Sequence, residues 1–288
     1  MSTLREAVNR SLYRLGWRVG PRIPKVLRAV IMSAGATAAN LQDGVHVREL
    51  RHNLSVAAGH PITRAVVREG VASDLRNWFE ILALPGWSAE QIRDRVTTTD
   101  EHHLRDAFAT TGAVVALPHS GNWDLAGAWA CLTGMPVTTV AEQLGDQEFR
   151  AFLAFRESLG MEVLSHTDPS ATGKLITAVN AGRLVCLVAD RDLVGSGVPV
   201  RWGSTDITMP AGPALVARRA GAALIPAVCQ FTDTGMVIKF GAPIAPRPGR
   251  DGLVAMTQEV TDFFADRIAE RPVDWHLMQP FFRTRSEG

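Results

Sequence analysis

Two uninterrupted apolar runs, Val114-Val115-Ala116-Leu117 and Leu184-Val185-Cys186-Leu187-Val188-Ala189, most constrain what this chain can fold into. Each is too short for a buried helix and lacks the polar alternation of a strand with one wet face, so both read as strands covered on two sides. Ala223-Leu224-Ile225 before Pro226 and Met236-Val237-Ile238-Lys239-Phe240 read as two more strands. Helical runs lie between them, at 123–132, 147–159, 173–181 and 213–220, and a closing amphipathic helix covers 253–269. Strands buried on both faces and alternating with helices imply an α/β fold, with a central, mostly parallel sheet flanked by helices. Residues 45–111 read as mostly helical, with a strong periodic run from Arg64 to Leu82 ending before Pro85-Gly86.

The 288 residues are 46% hydrophobic, enough for one large packed domain with an appendage. Division near residue 40 is expected, with helices at 1–40 and the main domain at 41–288. The overall charge of +1 gives no field pointing to nucleic acid. The first 28 residues, however, hold Arg5, Arg10, Arg14, Arg18, Arg22, Lys25 and Arg28 against the single acid Glu6. Leu4, Val8, Leu12 and Leu15 form an apolar stripe beside the arginines, as in a helix lying on an anionic membrane surface. An ordinary surface helix packed on the domain is the alternative. No window is long and apolar enough for a transmembrane helix, and the N-terminus lacks the apolar core of a secretory signal. Cys131, Cys186 and Cys229 sit in apolar runs without Cys-x-x-Cys spacing. They read as reduced core thiols, with neither a metal site nor a disulfide framework.

The chain contains no Gly-x-Ser-x-Gly elbow, no phosphate loop and no His-Glu-x-x-His. Its chemical signal is Pro118-His119-Ser120-Gly121-Asn122-Trp123-Asp124, directly after the first buried strand. With eight histidines, a His-x4-Asp spacing is close to chance; its position carries the meaning. Open α/β sheets bind ligands at strand C-termini. Gly121 permits a tight turn, Asn122 is a good N-cap, and Asp124 falls in the first helical turn, where the dipole favours a carboxylate. Such a carboxylate, brought back onto the imidazole, makes the other ring nitrogen a better base. Arg156 lies on the apolar face of its helix and must pair with an acid, Glu142 or Asp124, or bind an anion. Asp190, Arg191 and Asp192 follow the second buried strand and line a site or form a turn. Trp123, Trp129 and Trp202 are either acyl-tunnel walls or plain core.

These blocks, in order, resemble the bacterial lipid A lauroyl/myristoyl acyltransferase superfamily. The resemblance runs through Gly197-Val198-Pro199-Val200, Trp202-Gly203, Pro210-Ala211-Gly212, Ala220-Gly221-Ala222 and Pro272-Val273-Asp274-Trp275-His276, and so covers nearly the whole chain. Within it, Ala189-Asp190-Arg191-Asp192-Leu193 and Trp275-His276-Leu277-Met278-Gln279-Pro280 are most similar to actinobacterial phosphatidylinositol mannoside acyltransferases. The resemblance implies a glycerolipid-acyltransferase-like fold at the cytoplasmic face of the plasma membrane. It also implies transfer of a palmitoyl-type chain from acyl-CoA, as co-substrate, to a mannose hydroxyl of the mannosylated phosphatidylinositol. By position, His119 matches the base, Asp124 its partner and Arg156 the arginine of the second block. The third-block acid is Asp192, or else Asp190. Arg201-Trp202-Gly203 departs from the family's Phe-Phe-Gly, which leaves acyl-chain preference open. Direct transfer is expected, with Asn122 and Trp123 at the oxyanion, no acyl-enzyme, no metal and no cofactor. Two other readings stand beside this one. The first is a lipid acyltransferase with another acceptor or an acyl carrier protein donor; the second is a non-catalytic protein bound to the membrane surface.

Overall fold

A computed structural model describes residues 25–141, 153–154, 156–192 and 195–282. The basic helix expected at 4–17 and the candidate residue Glu142 lie outside these residues. The described chain opens with three helices, α1 (Lys25–Gln42), α2 (Val45–Ala58) and α3 (Arg64–Ala83). There follow α4 (Ala89–Asp94), β1 (Val96–Thr99), α5 (Glu101–Thr110), β2 (Ala113–Leu117), α6 (Trp123–Leu132), β3 (Val137–Ala141) and β4 (Glu162–Ser165). The second half comprises α7 (Ala171–Asn180), β5 (Leu184–Val188), β6 (Val198–Trp202), β7 (Thr205–Met209), α8 (Gly212–Ala220), β8 (Ala223–Phe231), β9 (Met236–Phe240) and α9 (Gly249–Glu270).

Seven strands form one sheet in the order β1-β9-β8-β2-β5-β3-β4, and β6 and β7 form a separate antiparallel hairpin. Every pairing in the large sheet is parallel except that of β8 with β9. The mostly parallel α/β sheet expected from the apolar runs is therefore present. Its middle strands explain those runs: all five residues of β2 are buried, because helices cover both faces. One apolar layer packs α2, α8 and α9 on one face, and another packs α5 and α6 on the other.

One expectation needs correction. The strand read as ending before Pro226 continues to Phe231. Pro226 sits at a seam: it is the last partner of β2, opposite Ala116, and β9 begins pairing one residue later, at Ala227. A strand can carry proline where ladder partners change. Residues 45–111 are mostly helical, as expected, with one short strand, β1, among them. Val96-Thr97-Thr98-Thr99 is an edge strand with little apolar signal.

Candidate active site

The geometry of the site follows from strand register. β2 and β5 are parallel neighbours, with Leu117 opposite Val188. Two residues beyond each strand end stand His119 and Asp190, so the register that pairs the strands also sets these side chains side by side. Their contact is double. His119 Nδ1 lies 2.5 Å from Asp190 Oδ1, and the His119 backbone N–H donates to Oδ2 at 2.9 Å. The Trp275 indole N–H also donates to Oδ2, at 2.9 Å. Asp190 is fully buried, which opposes its charge, but the charge of His119 and the hydrogen bonds from His119 and Trp275 hold it below the usual carboxylate range. An ionised Asp190 accepts a hydrogen bond from Nδ1–H of the neutral imidazole, which fixes the tautomer and leaves Nε2 as the basic nitrogen. The His119 side chain is 25% exposed, so that nitrogen is within reach of a ligand.

The loop after His119 is held rigidly. Gly121 has φ 59°, and a Cβ there would lie 2.8 Å from the Cys229 carbonyl oxygen, so only glycine fits the turn. Asn122 caps α6 through the Leu125 N–H at 2.9 Å. The C-terminal segment bonds to the loop from the other side: Gly121 N–H donates to Asp274 O, and His276 N–H donates to His119 O. Asp274 is buried and accepts from Ser73, Arg271 and the Phe231 N–H. The Ser73 hydroxyl is spent on Asp274, so its 3.1 Å contact with His276 Nε2 makes that nitrogen the donor. Burial, with the nearby charge of His119, drives the His276 pKa down to about 3 and keeps the ring neutral.

The sequence-predicted residues are not all together. Asp124 does not reach back to His119; its carboxylate accepts from Arg156 Nε at 2.6 Å, in a buried ion pair. The first turn of α6 directs Asp124 under the helix, away from the loop. His119 takes its carboxylate from across the sheet. Arg156 thus has the acidic partner its apolar face required, one of the two foreseen. Asp192, the preferred third-block acid, accepts the Ser196 and Gly197 N–H groups and organises a turn. Asp190 is the acid at the histidine. Arg191 and Asp192 line an outer groove with Asp206 and Gln279. Trp123 stands edge-on to His119 with ring centroids 5.1 Å apart. Ser73, Asp274 and His276 were not assigned roles by residue spacing; the nearest signal was the closing Asp274-Trp275-His276 block.

Beside the histidine a narrow cavity runs under α6, along the sheet. Trp123, Asp124 and Arg156 line it together with apolar residues that include Leu117, Trp129, Met161 and Phe240. Trp202 is not part of it; that ring stacks on Trp275 at 5.3 Å in the opposite core layer. Among the described residues, no group of three or more His, Cys, Asp or Glu could hold a metal ion. Nor is any helix among them long and apolar enough to cross a membrane. Burial raises the thiol pKa values of all three cysteines, that of Cys229 to about 12.

Sequence comparison gives the family. The family described as "Bacterial lipid A biosynthesis acyltransferase" matches residues 1–284. A "Phosphatidylinositol mannoside acyltransferase" of Mycolicibacterium smegmatis is 38% identical over 275 residues, spanning 93% of this chain and 89% of the relative. A protein of the same name from Mycobacterium tuberculosis is 35% identical over 277 residues, spanning 93% and 86%. With a histidine–carboxylate pair at the strand ends and a family match along almost its whole length, this chain belongs to the bacterial lipid A biosynthesis acyltransferase family.

Proposed function

We propose that this protein moves a palmitoyl-type chain from acyl-CoA to a mannose hydroxyl of a phosphatidylinositol mannoside, working peripherally at the cytoplasmic face of the plasma membrane. The observation that carries this reading is the His119–Asp190 pair, whose neighbour Trp123 also lines an apolar cavity. The names of the relatives support the acceptor. Exposed Leu27, Val30 and Ile31 on α1 support contact with a lipid surface.

In the proposed step, His119 Nε2 takes the proton of the sugar hydroxyl as its oxygen attacks the thioester carbonyl. Asp190 stabilises the imidazolium that forms. The carbonyl becomes an oxyanion, collapses, and expels the CoA thiolate, which recovers the proton from His119. The Ser120 and Gly121 N–H groups are engaged with Pro118 O and Asp274 O, so the oxyanion falls to N–H groups at the start of α6, near Asn122 and Trp123.

Direct transfer, without an acyl-enzyme, fits the neighbouring nucleophiles. The Ser120 hydroxyl is buried and donates to Cys229 O, and the cysteine thiols are held protonated by burial. The step requires neither a metal nor a cofactor, since acyl-CoA brings its own leaving group. The cavity has a volume of only ≈ 50 Å³ as it stands. A long chain therefore needs the cavity walls to give way, the flexible side chain of Met161 among them.

The test is to incubate the purified protein with radiolabelled palmitoyl-CoA and three acceptors: a phosphatidylinositol mannoside, lysophosphatidic acid and a lipid A precursor. Label in the mannolipid is the expected result. Label in another acceptor, or liposome binding without thiol release, would overturn the proposal in favour of a different lipid substrate or a non-catalytic role.

A further inference from the structure

The catalytic pair is gripped from one side by a stretch of chain without regular structure of its own. Trp275 donates its indole N–H to Asp190 Oδ2 at 2.9 Å, and the next residue, His276, donates its backbone N–H to His119 O at 2.8 Å. Residues 276–282 form neither helix nor strand. No ladder of backbone bonds sets where this stretch lies, so side chains must do so. Before Trp275, Ser73 of α3 donates to Asp274. After His276, side chains of α2 hold the backbone: Asn53 at Leu277 O and Gln279 O, His46 at Met278 O and His52 at Phe282 O.

Asn53 differs from the two histidines in burial. It is 0% exposed, whereas His46 and His52 lie at the surface. It shares the buried face of α2 with Leu50, Leu54 and Ala57, where the helical period calls for an apolar side chain. Both donors of its Nδ2 are used, each at 2.8 Å, on carbonyls two residues apart. Its Oδ1 is buried and has no hydrogen-bond partner among the described residues. Burying an amide with one end unmet costs stability that an apolar residue of similar size would not lose. The amide at this place is therefore accounted for by what it fixes.

What it fixes lies directly upstream. Leu277 follows His276 and is two residues from Trp275, so an anchored Leu277 carbonyl sets how far the indole reaches towards Asp190. The indole lies flat on Trp202, with ring centroids 5.3 Å apart and planes 12° from parallel, and Phe281 meets it edge-on at 5.2 Å. Stacking fixes the plane of a ring more firmly than its position within that plane. The aim of the N–H thus needs the further constraint that Asn53 supplies.

We infer that Asn53 is a positioning residue for the acyl transfer: by anchoring residues 277 and 279 it holds the Trp275 N–H on Asp190 and the His276 N–H on His119, and so keeps the carboxylate aimed at the imidazole. Its kinetic effect rests on the proposed reaction at His119; its effect on Trp275 does not.

The experiment uses the full chain with Asn53→Ala and Asn53→Thr. Threonine nearly matches asparagine in volume and turns its hydroxyl back onto its own helix, so it carries the test if the alanine variant does not fold. Trp275→Phe, alone and combined with each, removes the indole donor and keeps an aromatic ring in the stack. The first measurement needs no turnover. The NMR signal lost in Trp275→Phe identifies the Trp275 indole N–H, and its exchange with deuterium is followed. We expect exchange at least about tenfold faster in the Asn53 variants, with the amides of β2 and β5 keeping their wild-type rates. The second measurement is steady-state transfer. There kcat should fall about tenfold with KM changed less than about twofold, and adding an Asn53 variant to Trp275→Phe should cost less than about twofold more. An unchanged indole exchange rate, equal acceleration in β2 and β5, or losses that multiply in the double variant would overturn the inference. A wild-type protein that transfers no acyl group would overturn the proposed reaction instead, and the exchange rates would still decide on Asn53.

Discussion

Asp190 Oδ2 receives two N–H groups, from the His119 backbone and the Trp275 indole, while Oδ1 receives the His119 ring. Replacing Asp190 with Asn puts an amide NH₂ against one of these donors and removes the charge that stabilises an imidazolium. Asp190→Asn should lower the transfer rate by about 100-fold or more. Steady-state kinetics checks this, and a loss below about threefold would show that the pair does not orient the base.

The Asp124–Arg156 contact gives a different expectation for Asp124. Both side chains are at most 9% exposed, so breaking the pair strands a buried charge. Arg156→Met and Asp124→Asn should each cost about 3 kcal/mol of stability, with the double variant losing less than the sum of the two. Denaturant unfolding measures all three. Unchanged stability in the single variants would contradict a structural role for the pair.

Much of this architecture is legible in the sequence, but unevenly. β2 and β5 stand out because helices cover both of their faces. β3 and β4 do not, since Val137-Thr138-Thr139-Val140-Ala141 and Glu162-Val163-Leu164-Ser165 mix polar and apolar residues at one side of the sheet. The β6–β7 hairpin was missed although Val198, Val200 and Trp202 alternate with exposed residues as a half-buried strand should. His119 was legible because it follows a buried strand and precedes a capped helix. Its carboxylate was not, because the pairing of residues 71 positions apart depends on β2 and β5 being neighbours in a given register. Local spacing favoured Asp124, whose true partner Arg156 lies 32 positions away.

Gly127 lies on the wall of the apolar cavity, and a Cβ there would meet Met161 Cε at 2.7 Å. Met161 presents the end of a flexible side chain, so Gly127→Ala should fold while pushing Met161 further into the cavity. Its kcat/KM for palmitoyl-CoA should fall about tenfold relative to that for decanoyl-CoA. An unchanged ratio would show that the chain lies elsewhere.

Burial raises the Asp74 carboxyl pKa to about 7, well above its ordinary value of 3.8. Between those values the folded chain holds a proton that the unfolded chain has lost, so this group makes stability fall as pH rises. Asp74→Asn keeps the neutral form at every pH. Its melting temperature should match wild type near pH 4 and exceed it by a growing margin up to pH 8. The neutral, buried His276 acts in the opposite sense below its ordinary value of 6.5, but does so equally in both proteins. A constant margin across the range would contradict the assignment.

The central claim is direct acyl transfer with His119 as base. It is tested most directly by a single-turnover reaction of labelled palmitoyl-CoA with a phosphatidylinositol mannoside, comparing wild type with His119→Ala. The account predicts label passing to the mannolipid without residing on the protein, and a rate at least about 100-fold lower in the variant. Wild-type turnover in His119→Ala, or label trapped covalently on the chain, would contradict it.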